Sequence, residues 1–119
     1  YSVVATVTDT AGNSASATDD NSGAGNVIDT TAPSITVDAP DLTNDNTPTI
    51  TGNTNAVDGT EITVVVTDAT GATQNLTATA NGGTYSVDVT TALPDGEYEV
   101  TATVEDTAGN SASATDDNS

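Results

Sequence analysis

The sequence YEVTATVEDTAGNSASATDDNS occupies residues 98–119, and a near-copy, YSVVATVTDTAGNSASATDDNS, occupies residues 1–22. The two copies are identical at 19 of 22 positions and lie 97 residues apart. In each copy, apolar residues alternate with polar ones on both sides of a Gly-Asn turn, which is the pattern of a β-hairpin. Because self-similarity at a fixed spacing marks a tandem array, the chain is predicted to hold one repeat of 97 residues plus an overlap.

Between the two copies, period-two alternation continues and predicts further short strands. These strands are expected near residues 35–37, 47–52, 62–66, 76–80 and 85–89. The side chains predicted to face the core are Pro48, Ile50, Ile62, Val64, Val66, Leu76, Ala78, Ala80, Tyr85, Val87 and Val89. Turn-forming clusters of Asp, Asn and Gly separate the strands, and no stretch has helical periodicity. About seven short strands predict an all-β fold, an immunoglobulin-like Greek-key β-sandwich.

The composition excludes several classes of function. The 119 residues include 18 Asp and Glu but no Lys, Arg or His, so the formal charge is −18. Nucleic acids and anionic membranes attract the opposite charge and are excluded as partners. Without His, Cys, Lys or Arg, the chain lacks most general bases and activated nucleophiles, so it is not expected to be an enzyme. The absence of Cys also rules out a disulfide, and the absence of Lys rules out an isopeptide cross-link.

The segment LPDGEY at residues 93–98 precedes the first strand of the C-terminal hairpin. It resembles the tyrosine corner of Greek-key sandwiches, in which a Tyr at the start of the penultimate strand bonds to upstream backbone. The hydroxyl of Tyr98 is therefore predicted to donate a hydrogen bond to a backbone carbonyl.

Four stretches resemble the bacterial immunoglobulin-like repeats of giant secreted surface adhesins, including RTX-type and biofilm-associated ones. They are DTTAP at 29–33, LTNDNTPTITG at 42–52, LPDGEY at 93–98 and VEDTAGN at 104–110. The resemblance covers essentially the whole chain. It implies a non-enzymatic extender domain outside the bacterial cell, adjacent copies of the same repeat as partners, and calcium at the domain junctions. A distal module in another domain would then bind the host surface or biofilm ligand.

This interpretation divides the chain into three parts. Residues 1–22 are predicted to be the C-terminal hairpin and exit segment of a preceding repeat, residues 23–33 a linker, and residues 34–119 one bacterial Ig-like domain. Either hairpin fits the last two strands of the sandwich. Residues 98–115 are predicted to occupy that place because a short connection joins them to the preceding strand. Residues 1–22 would then be loosely held or exchanged into a neighbouring molecule.

The excess of carboxylates also predicts bound cations, because no basic side chain offsets their mutual repulsion. Ca²⁺ takes six to eight oxygen ligands from carboxylates, carbonyls and water. A Greek key brings its loops together at two poles, and in an array the exit of one domain meets the start of the next. The predicted Ca²⁺ ligands are Asp29, Asp58, Asp106 and Asn110 at one pole; Asp38, Asp41, Asp45 and Asp95 at the other, near Asp68, Asp116 and Asp117; and Asp9, Asn13, Asp19, Asp20 and Asn21 at the preceding junction.

Four alternatives stay open at this point. Asp and Asn are common in turns because their side chains bond to their own backbone. A strongly acidic surface is also compatible with general salt adaptation, without any specific site. The repeats could instead associate with one another through calcium-bridged acidic faces. Rows of outward-facing threonines could form an ice-binding face. Thr47, Thr49 and Thr51 share one face, as do Thr63 and Thr67, whereas Thr101 and Thr103 complicate the pattern on the penultimate strand.

Overall fold

The computed structural model, which describes residues 1–19 and 25–117, divides into two compact units. Unit 1 covers Tyr1–Thr30 and unit 2 covers Thr31–Ser119. Within the described ranges, every regular element is a β-strand. These residues include no helix that is long and apolar enough to cross a bilayer.

Among the described residues, unit 1 contains one hairpin and unit 2 contains six strands. The strands are β1 (Val3–Thr8) and β2 (Ser14–Asp19) in unit 1, and β3 (Thr49–Asn53), β4 (Glu61–Thr67), β5 (Thr73–Thr79), β6 (Thr84–Asp88), β7 (Glu99–Glu105) and β8 (Ser111–Asp116) in unit 2. In unit 2, β3 pairs with β6, while β5, β4, β7 and β8 form a second antiparallel sheet in that order. This arrangement confirms the predicted all-β, immunoglobulin-like sandwich.

The core of unit 2 lies between its two sheets. Alternate side chains of β4 and β7 point inward, so that Ile62, Val64, Val100 and Ala102 are fully excluded from solvent. Ile50 on β3 covers them from the opposite sheet and is equally buried. The other buried apolar side chains among the described residues are Ala39, Pro48, Val66, Leu76, Ala78, Ala80, Tyr85, Val89 and Val104. The period-two pattern therefore identified the inward face of these strands correctly.

The strand predicted at residues 35–37 is wrong as a regular strand, because only two isolated bridges form, Ile35 with Thr54 and Asp38 with Thr51. Thr36 interrupts the ladder between them. Its N–H donates to the Asn53 carbonyl at 2.8 Å, but the Asn53 N–H returns to the Thr36 hydroxyl at 2.9 Å instead of the carbonyl. The Thr36 carbonyl accepts the hydroxyl hydrogen bond of Tyr85. The hydroxyls of Thr36 and Tyr85 thus replace one backbone hydrogen bond of the ladder, that from the Asn53 N–H to the Thr36 carbonyl.

Gly52 makes room for this arrangement. A Cβ atom at this position would lie 2.5 Å from two ring carbons of Tyr85 and closer still to the Thr36 carbonyl oxygen. Both neighbours are held in place, since the Tyr85 ring is buried in the core and the Thr36 carbonyl is bonded to its hydroxyl. Glycine is required here for close approach of the backbone.

The Tyr98 hydroxyl donates to the Pro40 carbonyl at 2.9 Å. It bonds to upstream backbone as predicted, but the partner lies 58 residues earlier, in the loop before β3. In a tyrosine corner the partner lies only a few residues upstream. The carboxylate of Asp116, at the end of β8, accepts the Ala39 N–H at 2.9 Å in the same region. Together these bonds fix the segment 39–40 to the sheet that contains β7 and β8.

The C-terminal hairpin occupies the last two places in the sandwich, as the short connection predicted. β7 pairs with both β4 and β8. In unit 1, Tyr1, Val3 and Val7 remain 60%, 52% and 68% exposed.

Replacement of Gly52 by Ala is expected to destabilise unit 2. The added methyl group must displace the Tyr85 ring and the Thr36 carbonyl, and overpacking of this kind costs about 1–3 kcal/mol. The free energy of unfolding in urea measures the effect. Ser86→Ala is the matched control, since Ser86 is exposed on the strand next to Gly52. Equal stability of the two variants would contradict the close-approach explanation.

Alkaline pH is expected to destabilise unit 2 through its buried tyrosines. Burial raises the pKa of Tyr85 to about 12. The pKa of Tyr98 is also raised, mainly by burial and to a smaller extent by the nearby carboxylates. A tyrosine ionises near pH 10 in the unfolded chain, so its contribution is complete below about pH 10 and is lost as pH rises toward 12.

Urea unfolding between about pH 8 and pH 12 tests this expectation. The decline should be shallower in Tyr85→Phe, and Tyr1→Phe should match the unmodified chain because Tyr1 is exposed. A pH-independent stability up to pH 12 would contradict it.

Candidate metal-binding loops

Three turns of the chain share one hydrogen-bond pattern, and each begins with an aspartate. They start at Asp9, Asp68 and Asp106. In each, the Asp N–H donates to the carbonyl four residues on, and the glycine N–H three residues on donates to the Asp carbonyl. One carboxylate oxygen then accepts the N–H groups of the second and fourth following residues. The donor–acceptor distances are 3.0 and 2.8 Å at Asp9, 2.8 and 3.1 Å at Asp68, and 2.9 and 2.9 Å at Asp106.

Side chains complete the same turns. The second carboxylate oxygen of Asp9 accepts the Asn13 carboxamide at 3.1 Å, and that of Asp106 accepts Asn110 at 3.1 Å. At Asp68, the Thr70 hydroxyl donates instead to the same carboxylate oxygen that accepts the two N–H groups, at 2.6 Å. These hydrogen bonds to the ionised form lower the pKa of all three carboxylates, with the side-chain donor as the largest cause. Each carboxylate therefore has a structural role in its own turn.

At one pole of unit 2, the loop before β4 and the last hairpin turn line a shallow depression. Three of its lining residues are acidic, Asp58, Glu105 and Asp106. The Asp58 carboxylate accepts the Gly82 N–H at 2.9 Å and so also bonds to the β5–β6 turn. The sequence predicted Asp58 and Asp106 at a shared pole and missed Glu105. Glu105 is the last residue of β7, directly before the Asp106 turn, and this position was the available signal.

At another depression of unit 2, the loop before β3 meets the connection that leads to β7. Asp41, Asp45 and Asp95 contribute to its lining, as the sequence predicted for these three residues. The Asp45 carboxylate accepts the N–H of Thr47 at 3.0 Å and its hydroxyl at 3.2 Å. Near this region, Asp116, Asp41 and Asp38 all act on the Tyr98 hydroxyl and raise its pKa. A separate depression is lined by Asp68, Glu97, Glu99 and Asp117.

Asp38, another predicted ligand in unit 2, is not among the residues that line these three depressions. The backbone of Asp38 exchanges both of its hydrogen bonds with Thr51. Asp19 ends β2, and its carbonyl accepts the Asn26 carboxamide at 3.4 Å. Asp29 is exposed near the end of unit 1. Asp20 and Asn21 lie outside the described residues.

The donor set consists of carboxylate, carboxamide and carbonyl oxygens, which suit a hard cation such as Ca²⁺. The carboxylates are spread along the loops, however. In residues 1–19 and 25–117, no group of three or more acidic side chains is close enough together to hold a metal ion by itself. A cation at either depression would therefore need backbone carbonyls, water or a neighbouring molecule to complete its coordination.

The threonine rows do not form a single face. Thr49 and Thr51 belong to β3, whereas Thr63, Thr101 and Thr103 belong to the sheet of β4 and β7. Some of their hydroxyls already have partners within the chain. The Thr49 hydroxyl donates to Asp88 at 2.6 Å, and those of Thr101 and Thr115 bond to each other at 3.2 Å. This geometry offers little support for a lattice-matching surface.

Comparison with known proteins gives two findings. The sequence model of the bacterial Ig-like domain matches residues 26–117. A crystal structure described as a tetra-tandem repeat in the extending region of a large adhesion protein superposes with a TM-score of 0.62 at 29% sequence identity. The match covers 97% of this chain and 29% of the other, so the chain spans slightly more than a quarter of that structure. Among curated protein sequences, none matches.

The duplicated turn provides a matched pair of substitutions. Asn110→Ala removes the carboxamide that bonds to Asp106, and is expected to lower the stability of unit 2 by about 0.5–1.5 kcal/mol. Asn13→Ala removes the same bond from the turn of unit 1 and is expected to leave unit 2 unchanged. Amide hydrogen exchange in β4 reports on unit 2 alone. Equal effects of the two substitutions on β4 would contradict this assignment.

Proposed function

Because this chain belongs to the bacterial Ig-like domain family, we propose that it is an extender unit of a secreted surface adhesin, with neighbouring copies of the same repeat as its partners in the array. The 97-residue repeat is the observation that carries the proposal, since it is the signature of an array. The similar structure comes from the extending region of a large adhesion protein. Unit 2 also has a compact shape suited to a spacer, with strands of five to seven residues. At about 3.3 Å per residue, plus loops, each repeat adds on the order of 40 Å to an array.

The proposed role is structural, without catalysis. The carboxylates of Asp9, Asp68 and Asp106 act as hydrogen-bond acceptors within turns, and the sequence has no basic or thiol side chain to activate a nucleophile. Binding to a host surface or a biofilm ligand would be a property of other domains. The extender would place such a domain away from the cell.

We further propose that Ca²⁺ stiffens the junctions between repeats. The charge of −18 makes neighbouring repeats repel each other, and a shared divalent cation would replace that repulsion with common ligands. Asp58, Glu105 and Asp106 are lining residues of one depression, and Asp41, Asp45 and Asp95 are lining residues of another. Asp29 would be a ligand from the incoming segment. Extracellular modules bind Ca²⁺ with dissociation constants of about 10⁻⁴–10⁻³ M, so millimolar Ca²⁺ would fill such sites.

Thermal and urea unfolding of a protein with two successive repeats tests the calcium proposal. Unfolding is compared in excess EDTA and in about 5 mM Ca²⁺ at constant ionic strength, with Mg²⁺ and Na⁺ as control cations. Each filled site is expected to add about 1–2 kcal/mol to the free energy of unfolding, because the ligand binds only the native state. The radius of gyration from small-angle scattering should rise as the junction stiffens.

The substitutions Asp58→Asn, Glu105→Gln and Asp106→Asn keep an oxygen acceptor while they remove a charge. They are expected to reduce the calcium response, whereas Asp88→Asn, outside both depressions, should retain it. An equal response to all salts would mean that the acidic surface is only being screened. That result would eliminate the calcium proposal and leave the extender proposal intact. A dimer that forms only in Ca²⁺ would instead favour association between arrays.

A further inference from the structure

The two hairpins of this chain are structural duplicates. β1 pairs with β2 in the register Val3 to Asp19 and Val7 to Ala15. β7 pairs with β8 in the same register shifted by 97 residues, with Val100 opposite Asp116 and Val104 opposite Ala112. The Asp9 and Asp106 turns that close them have the same backbone hydrogen bonds. The sequence of β2 is identical to that of β8.

In unit 2, one face of this hairpin is covered. Val100, Ala102 and Val104 are 0%, 0% and 1% exposed, because they pack in the core of the sandwich. The strand that carries them pairs with β4 along its length. In this register, Val100 is opposite Val66, Ala102 is opposite Val64 and Val104 is opposite Ile62.

In unit 1, the same face is uncovered. The residues at the equivalent positions are Val3, Ala5 and Val7, which are identical in type to Val100, Ala102 and Val104. All three are exposed, as is every other residue of β1 and β2. We call the side of β1 that carries Val3, Ala5 and Val7 the docking face.

We propose that the docking face binds the β4 edge of a second copy of this repeat and completes its sandwich in place of β7 and β8. The expected register puts Val7 opposite Ile62, Ala5 opposite Val64 and Val3 opposite Val66. The interface between the equivalent hairpin and β4 within unit 2 shows what this docking buries.

The differences between the hairpins lie away from the docking face. Ser2, Val4 and Thr8 replace Glu99, Thr101 and Glu105, and alternation places all three positions on the opposite side of the strand. A further contact is retained, since Asp19 is equivalent to Asp116. The Asp116 carboxylate accepts the Ala39 N–H in unit 2, and Asp19 has the same side chain for that bond.

The experiment mixes two full-length chains that differ by point substitutions. The acceptor carries Val7→Glu and Val104→Glu, which put a carboxylate on the inward face of both hairpins and leave the β7-facing edge of β4 unpaired, while β4 still pairs with β5. The donor is the unmodified chain, whose own β4 is occupied and whose docking face is exposed. A one-to-one complex by light scattering, with new hydrogen-exchange protection in isotopically labelled acceptor β4, is the expected result.

Two donor variants make the test specific. Val7→Glu in the donor is expected to weaken the complex by on the order of a hundredfold or more, because docking would bury an unpaired carboxylate. Val4→Glu changes a residue on the opposite side of the same strand and should still complement the acceptor. Equal binding of the Val7→Glu and Val4→Glu donors to the acceptor would overturn the proposal. Failure of the unmodified donor to form a complex would overturn it as well.

A single purified variant provides an independent measurement, should the acceptor aggregate. Val104→Glu alone keeps an intact docking face, so it is expected to self-associate and to retain protection in β4. The acceptor alone should lack this protection. A Val104→Glu variant that stays monomeric and lacks hydrogen-exchange protection in β4 would also overturn the proposal. A monomer with protected β4 would overturn it too, because the hairpin would then act within its own chain and not on a second copy.

Discussion

Eighteen carboxylates have to be accommodated by a chain without any Lys, Arg or His side chain, and this constraint determines where its acidic residues lie. The available donors are backbone N–H groups, hydroxyls and carboxamides. Asp9, Asp68 and Asp106 each accept two backbone N–H groups within one turn, and Asp116 accepts the backbone N–H of Ala39 in a distant loop. Hydrogen bonds to an ionised carboxylate are stronger than neutral ones, so the charge strengthens the turns even as it destabilises the compact state as a whole.

The same composition leaves little bulk for the core, which contains no Phe, Trp or Met. Tyr85 supplies the largest buried ring, and its hydroxyl must then find a partner inside the protein. The Thr36 carbonyl is that partner, and Gly52 is the residue that lets the ring and the carbonyl approach the strand. A lean core thus explains why the first segment of the sandwich is attached by a tyrosine and two bridges, and why it lacks a continuous ladder.

Alternation predicted the fold and most of the core, because side chains such as Ile62 and Val64 follow the strand period directly. It failed at residues 35–37, where the Thr36 hydroxyl and the Tyr85 hydroxyl take over backbone hydrogen bonds. Such exchanges depend on which side chains meet in three dimensions, and one sequence contains no periodic trace of them. For the candidate site, chain order placed Asp58 and Asp106 together because loop adjacency follows from Greek-key topology. The hydrogen bonds of Asp106 within its own turn could not be predicted uniquely, because an aspartate in a turn can be either a turn former or a metal ligand.

Near-identity between successive hairpins has a consequence for how each repeat closes. Any β4 edge can accept the hairpin of its own repeat or an equivalent one, so side-chain chemistry alone does not decide between them.

The connection within each repeat decides which hairpin pairs with β4. The segment between β6 and β7 is ten residues long, from residue 89 to residue 98, and it keeps the correct hairpin close to β4 during folding. Loop-closure entropy favours this short connection over a hairpin on another molecule, whose effective concentration is much lower. Repulsion between highly negative chains adds to the difference at low salt, since it keeps competing hairpins apart. A tandem array with nearly interchangeable parts can therefore assemble in the correct order because the connection within each repeat is short and the charge between repeats has one sign.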